Sequence, residues 1–218
     1  MRSLVTGATG YIGGRLVPRL LESGHTVRVL VRDEAKTRAH AWSDDVEVSV
    51  GDATDADAVR AALEDVDVLY YLLHSIGTGD DFEKTERDMA QGFADAAHDA
   101  GVVIGSGSAS FEMLRYLTER LPVMVVPRWV TTRIQPIAVR DVLHYLVGSA
   151  EMPSDVSRRF DVGGPDVLTY LDMMQRYAAV AGLPRRRILK VPVLSPTLSS
   201  HWVGVITPVP ASLARPLV

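Results

Sequence analysis

The chain opens by alternating short apolar runs with longer segments whose apolar residues recur at helical spacing. Ser3 to Thr6 reads as a first strand. Tyr11 to Glu22 follows, with Ile12, Leu16, Leu20 and Leu21 spaced for one face of a helix that Gly24 closes as a C-terminal cap. "TVRVLVR" (Thr26 to Arg32) is rich in β-branched residues, as a strand buried in a parallel sheet should be. "VEVSV" (Val46 to Val50) is a third strand and "VDVLYYLL" (Val66 to Leu73) a fourth. Between them, Thr54 or Asp55 can cap a helix running to Glu64, and a longer helix spans Phe82 to Ala100. Strands alternating with helices of this length predict right-handed βαβ units, and therefore a doubly wound parallel α/β sheet.

The second half is less regular. "VVIGSGSASFEMLRYLTERL" predicts a short strand, a Gly/Ser loop and a helix capped by Ser108 or Ser110. "IAVRDVLHYLVGSA" predicts a helix with Val139, Val142, Leu143 and Leu146 on one face. "RRFDVGGPDVLTYLDMMQRYAAVAG" reads as a strand, a Gly-Gly-Pro turn and a helix capped by Thr169, with Met173 and Met174 in its core face. No internal period suggests a repeat array. The expected organisation is a sheet domain over residues 1–150 and a small lobe over 151–218, within one fold unit. The stretch from Val191 to Val218 is proline-punctuated and almost uncharged. It is expected to pack on a partner, on the body of the domain or on further chain, and it is the place to look for homo-oligomer contacts.

Composition narrows the function. Of the 218 residues, 47% are hydrophobic and 23% charged, the balance of a soluble globular protein. With no cysteine there are no disulfides, thiol nucleophiles or Cys-ligated zinc. A net charge of -4 argues against a nucleic-acid partner, and the basic run "PRRRILK" (Pro184 to Lys190) reads as solvated surface. The six histidines show no metal-ligand spacing, so no metal site is expected. No apolar run of about 18 residues offers a membrane span. With no targeting segment visible after Met1, a cytoplasmic protein is expected.

The first loop carries the chemistry. "LVTGATGYIGGRL" places Gly7, Gly10 and Gly13 between the first strand and the first helix, with spacing G-x-x-G-x-x-G. Glycine lets a turn tighten and a ligand or backbone approach, and the N–H groups of a helix N-terminus suit phosphate. In a βαβ context this is the position of a dinucleotide diphosphate. Arg32 stands at the end of the second strand, where an acid would hold the ribose 2′-OH of NAD. An arginine there offers a permanent planar cation to a 2′-phosphate, so NADP(H) is the preferred cofactor. Asp33, the next residue, keeps NAD(H) as the alternative. Asp52, after the third strand, is placed either beside an adenine ring or as an ordinary turn carboxylate.

"TGATGYIGGRLVPRLLESGHTVRVLVRD", "GDATD" and "VDVLYYLLHS" together resemble the short-chain dehydrogenase/reductase superfamily. The similarity is to its atypical branch, near the sugar-nucleotide epimerases and NmrA-like proteins. "QPIAVRDV" and "FDVGGPDVLTYLDMM" resemble that branch's C-terminal region, where a small lobe forms the substrate side. The resemblance implies a Rossmann fold with the cofactor across the carboxyl ends of the strands. It implies Thr9, Gly10, Tyr11 and Ile12 at the pyrophosphate, Arg32 at the adenosine ribose, and Asp52 with Ala53 at the adenine. Leu72, Leu73 and His74 fall at the nicotinamide half.

The pattern then breaks. "DAAHDAGVVIGSGSAS" leaps from the end of one helix to what resembles the far end of the sixth strand. About 45 to 50 residues, the size of one βαβ unit, are missing after Gly101 relative to the family. Either the chain is a shortened relative or the sequence omits a segment. The family's Tyr-x-x-x-Lys pair occurs nowhere; Tyr116 is followed by Arg120, which cannot give up its proton.

No catalytic residue is therefore assigned; His74 is a candidate general acid or base, with a hydrogen-bonded strand-edge residue as the plain alternative. The loop of Ser106, Ser108 and Ser110 is either a receiver for an anionic substrate group or a simple helix cap. No G-x-S-x-G elbow supports a hydrolase. The expectation is an NADP(H)-preferring oxidoreductase acting on a small carbonyl or hydroxyl compound. Its rival is a non-catalytic NADP(H) sensor or scaffold.

Overall fold

The computed structural model describes residues 1–73, 103–126, 128–153, 155–156, 158 and 160–190. In chain order the first elements are β1 (Arg2–Thr6), α1 (Gly13–Glu22), β2 (Thr26–Val31), β3 (Glu47–Val50), α2 (Ala56–Ala62) and β4 (Val68–Tyr71). Then come β5 (Val103–Ile104), α3 (Ala109–Arg120), β6 (Val123–Val126), β7 (Arg133–Ile134), β8 (Ile137–Ala138) and α4 (Val139–Ser149). The last are β9 (Leu168–Thr169), α5 (Tyr170–Val180) and β10 (Arg187–Lys190). The chain divides into two compact units, one of residues Met1–Ser75 with Arg140–Ser157, the other of Ile76–Val139 with Arg158–Val218.

The first unit is a four-stranded parallel sheet of order β3-β2-β1-β4. Leu4 and Val5 of β1 and Val27, Val29, Leu30 and Val31 of β2 are buried, as helices on both faces of a parallel sheet require. Leu16, Val17 and Leu20 give α1 its buried stripe. Ala62, at the end of α2, joins Leu4 and Leu30 in a cluster that Ala53, Val59 and Val66 complete. Gly24 has φ +82° and ends α1 in a Schellman motif, its N–H and that of His25 bonding the carbonyls of Leu21 and Leu20. Asp55 caps α2 by accepting from the N–H groups of Asp57 and Ala58. Arg28 crosses from β2 to donate to the Ala62 and Glu64 carbonyls at the other end of α2, 2.9 and 2.8 Å away. The Tyr70 hydroxyl donates to the Leu146 carbonyl at 3.1 Å, tying α4 into this unit, and burial pushes its pKa up.

In the second unit the core is helical. Met113, Leu114 and Leu117 of α3, Met173 and Met174 of α5, Met124 and Val126 of β6, and Val130 form one buried cluster. Thr169 caps α5 in a full capping box with Asp172, as expected. Among the described residues the strands pair two at a time: β6 with β10 and β5 with β8 in parallel, β7 with β9 antiparallel.

Two expectations are corrected here. Residues 158 and 160–162 hold no strand, and Phe160 and Val162 are exposed. Among the described residues they meet no partner edge, and Leu168–Thr169 pairs with Arg133–Ile134. The basic run is not simply solvated surface. Its last residues form β10, Ile188 packs on the core, and Arg186 is only 7% exposed. The Gln175 side chain anchors that turn, donating to the Arg186 carbonyl at 2.8 Å and accepting from its N–H at 3.1 Å. The helix expected over Phe82 to Ala100 and the stretch from Val191 to Val218 lie outside the described residues, and the expected shortening after Gly101 falls at their boundary. Among the described residues no helix is long and apolar enough to cross a membrane.

Candidate functional site: a dinucleotide cradle

The carboxyl ends of β1 and β4 are joined by one side chain. The buried Thr6 hydroxyl donates to the Tyr70 carbonyl and accepts from the Leu72 N–H, both at 3.3 Å. This brings the Leu72 backbone over Gly7, which turns with φ +68°. A Cβ on Gly7 would stand 2.6 Å from the Leu72 carbonyl oxygen, so only glycine fits. Gly13 starts α1 in a similar squeeze, since a Cβ there would run into the Gly7 carbonyl and lie 2.7 Å from the Ala8 Cα. The Gly10 N–H closes the turn on the Gly7 carbonyl at 2.9 Å. The loop thus folds flat against the strand ends.

Ile12 holds the N-cap position without a side-chain cap, and the first turn of α1 has no acidic residue. The Gly14 and Arg15 N–H groups donate to the Gly10 and Ile12 carbonyls at 2.9 and 3.0 Å. The helix dipole at this end favours an anion. Arg15 folds back, donating to the Tyr11 carbonyl at 2.9 Å with its guanidinium 4.0 Å from the centre of the Tyr11 ring. Tyr11 Oη is buried with no hydrogen-bond partner. Thr9 and Gly10 are exposed. A glycine cradle, an uncapped helix start and an orphaned hydroxyl fit the diphosphate of a dinucleotide.

Arg32 and Asp52 stand exposed just beyond β2 and β3. Asp52 accepts from the Thr54 N–H at 2.9 Å and the Thr54 hydroxyl at 2.8 Å. These bonds, in that order, hold its pKa below the usual carboxylate value, and the Arg32 charge adds to them. Asp33 accepts from the Ala35 N–H at 3.0 Å, capping a 3-10 turn over Glu34–Ala39. Ala53 packs partly on the Leu4, Leu30 and Ala62 cluster. Leu72 and Leu73 are half-buried after β4.

The first unit therefore gathers Gly7, Thr9, Gly10, Tyr11, Ile12, Gly13, Arg32, Asp52, Ala53, Leu72 and Leu73 beyond the carboxyl ends of four adjacent strands. His74 lies outside the described residues. Ser106, Ser108 and Ser110 belong to the second unit. Ser108 is the N-cap of α3 but makes no side-chain capping bond; its hydroxyl lies 3.2 Å from that of Ser110. Glu112 instead accepts from the Gly107 N–H at 3.0 Å, which with Arg115 holds its pKa low, so a resident carboxylate already serves this end.

Sequence reading overlooked Trp42 and His40. Trp42 is 5% exposed, its indole donates to the Gly14 carbonyl at 3.2 Å, and the His40 ring stacks on it at 4.6 Å. The available signal was Pro18, which removes a donor from inside α1.

Comparison with known proteins agrees with this geometry. A family described as NAD(P)H-binding matches residues 7–113. A 3 beta-hydroxysteroid dehydrogenase/Delta 5-->4-isomerase of Mycobacterium tuberculosis is 41% identical over 70 residues, 32% of this chain and 18% of that protein. A ketoreductase of Aspergillus fumigatus is 35% identical over 83 residues, 36% of this chain and 25% of that protein. The matches thus span a quarter or less of these relatives' length. Among solved structures, an NADPH-dependent quinone oxidoreductase of Escherichia coli complexed with NADPH superposes with TM-score 0.66 at 16% identity, covering 98% of this chain and 85% of that one. A UDP-glucuronic acid 4-epimerase of Bacillus cereus in complex with NAD gives 0.62 at 13% identity, covering 100% and 99%. These likenesses show the fold. The chain has a Rossmann-like α/β fold, and its residues 7–113 are similar to a family described as NAD(P)H-binding.

Proposed function

We propose that the protein is an NADP(H)-preferring oxidoreductase acting on a small carbonyl or hydroxyl compound in the cytoplasm. The observation that carries the cofactor preference is the pair at the end of β2: Arg32 is exposed, and the neighbouring Asp33 carboxylate is engaged in capping the next turn. One Asp33 oxygen is already used in that cap, while the exposed Arg32 guanidinium offers a planar cation to a 2′-phosphate.

In this reading the N–H groups of Tyr11 and Ile12, beside Gly10, hold the diphosphate, with Gly7 and Gly13 clearing the space and Thr9 at its rim. Arg32 binds the adenosine ribose phosphate. Asp52, kept ionised by Thr54, accepts from the adenine edge beside Ala53. Leu72 and Leu73 shield the nicotinamide half from water. A bound nicotinamide cofactor supplies or accepts a hydride. The dehydrogenase and ketoreductase names of the relatives support a carbonyl or hydroxyl substrate.

The second reading, a non-catalytic NADP(H) sensor, is favoured by the absence of Tyr-x-x-x-Lys from the sequence. Turnover separates the two: cofactor oxidation matched by product over a carbonyl panel supports the enzyme, and binding without turnover supports the sensor. The cofactor preference is tested by Arg32→Ala. NADPH affinity should fall by about tenfold or more, the weight of a charge-assisted pair, with NADH little changed. Equal losses for both cofactors would remove Arg32 from the 2′-phosphate.

A further inference from the structure

Helix α1 carries a proline in its interior, Pro18, and proline has no N–H to give to the carbonyl four residues before it. That carbonyl belongs to Gly14, in the helix's first turn. It is not left bare: the indole Nε1–H of Trp42 donates to it at 3.2 Å. Trp42 is buried, His40 stacks on it at an interplanar angle of 20°, and the His40 ring edge rests against Gly14. Trp42 comes from the irregular stretch that begins at Arg32 and the Asp33 cap.

We infer that Trp42 is a positioning residue that supplies the donor Pro18 lacks, and so fixes the Arg32 segment at a set distance from the start of α1. The inference rests on the cofactor reading above, in which α1 faces the diphosphate and Arg32 faces the adenosine ribose. Those two anionic parts of one ligand are read by elements 18 or more residues apart in sequence, from Gly14 to Arg32. The indole is the direct bond between the two segments. Its donor goes to the one helical carbonyl that Pro18 leaves without its main-chain partner.

The test is a rescue, read by calorimetric titration of NADPH into the full chain. Trp42→Phe keeps most of the ring and loses the donor; it should weaken NADPH about threefold to tenfold, the worth of one neutral hydrogen bond. Pro18→Ala restores a main-chain N–H facing Gly14. In that background Trp42→Phe should cost roughly twofold or less, because the carbonyl no longer depends on the indole. The same loss in both backgrounds, or none in either, would overturn the inference, since a ring that merely fills space gives no rescue. If the unsubstituted chain binds neither NADPH nor NADH, the cofactor reading itself has failed. Should Trp42→Phe not fold, hydrogen exchange of the Trp42 indole N–H decides, assigned through Trp129→Phe and Trp202→Phe. Slower exchange on saturation with NADPH is expected; unchanged exchange overturns the coupling.

Discussion

The two units solve the problem of burial differently. The first sets backbone against backbone: parallel strands in unbroken register, glycines pressed on carbonyls, and a threonine hydroxyl stitching two strand ends. The second sets side chain against side chain, with methionines and leucines of α3 and α5 filling a core beside described strands that pair in twos. A backbone contact tolerates no added atom, whereas a methionine-rich core can repack. The proposed ligand-binding surface falls on the rigid kind, where positions are held closely.

That contrast sets an order of sensitivity. The largest effect is expected for Gly13→Ala, whose methyl group would meet the Gly7 carbonyl. It should cost about 3 kcal/mol of unfolding free energy, measured by urea denaturation, despite the better helix propensity of alanine. A loss under about 1 kcal/mol would mean the loop yields, and the contrast between units would fall. Next comes Met174→Ala, which empties part of a site 4% exposed. About 2 kcal/mol is expected, at the low end for such truncations because flexible neighbours can close in. A cost above that for Gly13→Ala would reverse the comparison.

The smallest effect is at the start of α5. Thr169→Ala should cost about 1 kcal/mol by removing the capping hydroxyl. The acid side sharpens this. The Thr169 hydroxyl and then its N–H, with the Arg176 charge, hold the Asp172 pKa below the usual aspartate value. A carboxylate with a depressed folded-state pKa adds stability above its unfolded pKa, and loses it as pH falls through the folded value. The stability gap between the natural chain and Asp172→Asn should therefore be full near pH 7 and close below about pH 4. A gap independent of pH would mean the ionised form matters little.

The same contrast explains what the sequence disclosed. Strands β1 to β4 and helices α1 and α2 each carry their own signal, so periodicity and caps such as Gly24 and Asp55 suffice to find them, although β1 pairs with β4 from Ser3 to Val68. The cradle of Gly7, Gly10 and Gly13 was legible because its spacing reflects steric need. In the second unit, β6 pairs with β10, whose segment reads in sequence as a basic run rather than a strand. Two-residue strands such as β7 and β9 are too short to show a period. "RRFDV" has strand-like alternation, but its described residues pair with no described strand. Arg186 was misread because charge suggested exposure, while the Gln175 amide drew its backbone inward. Trp42 escaped notice because its bond reaches across 28 residues from an irregular stretch.

The Tyr70 hydroxyl on the Leu146 carbonyl has a practical consequence for dissecting the molecule. It joins residues 76 apart, and the first unit is assembled from two stretches with much of the other unit's sequence threaded between them. No single cut releases that unit whole. A fragment ending near Ser75 would carry every described cradle residue yet lack α4, stripping the Tyr70 ring and hydroxyl of their acceptor. The nucleotide-binding half is better isolated by splicing, with a short linker replacing residues 76–139 so that Arg140–Ser157 stays attached.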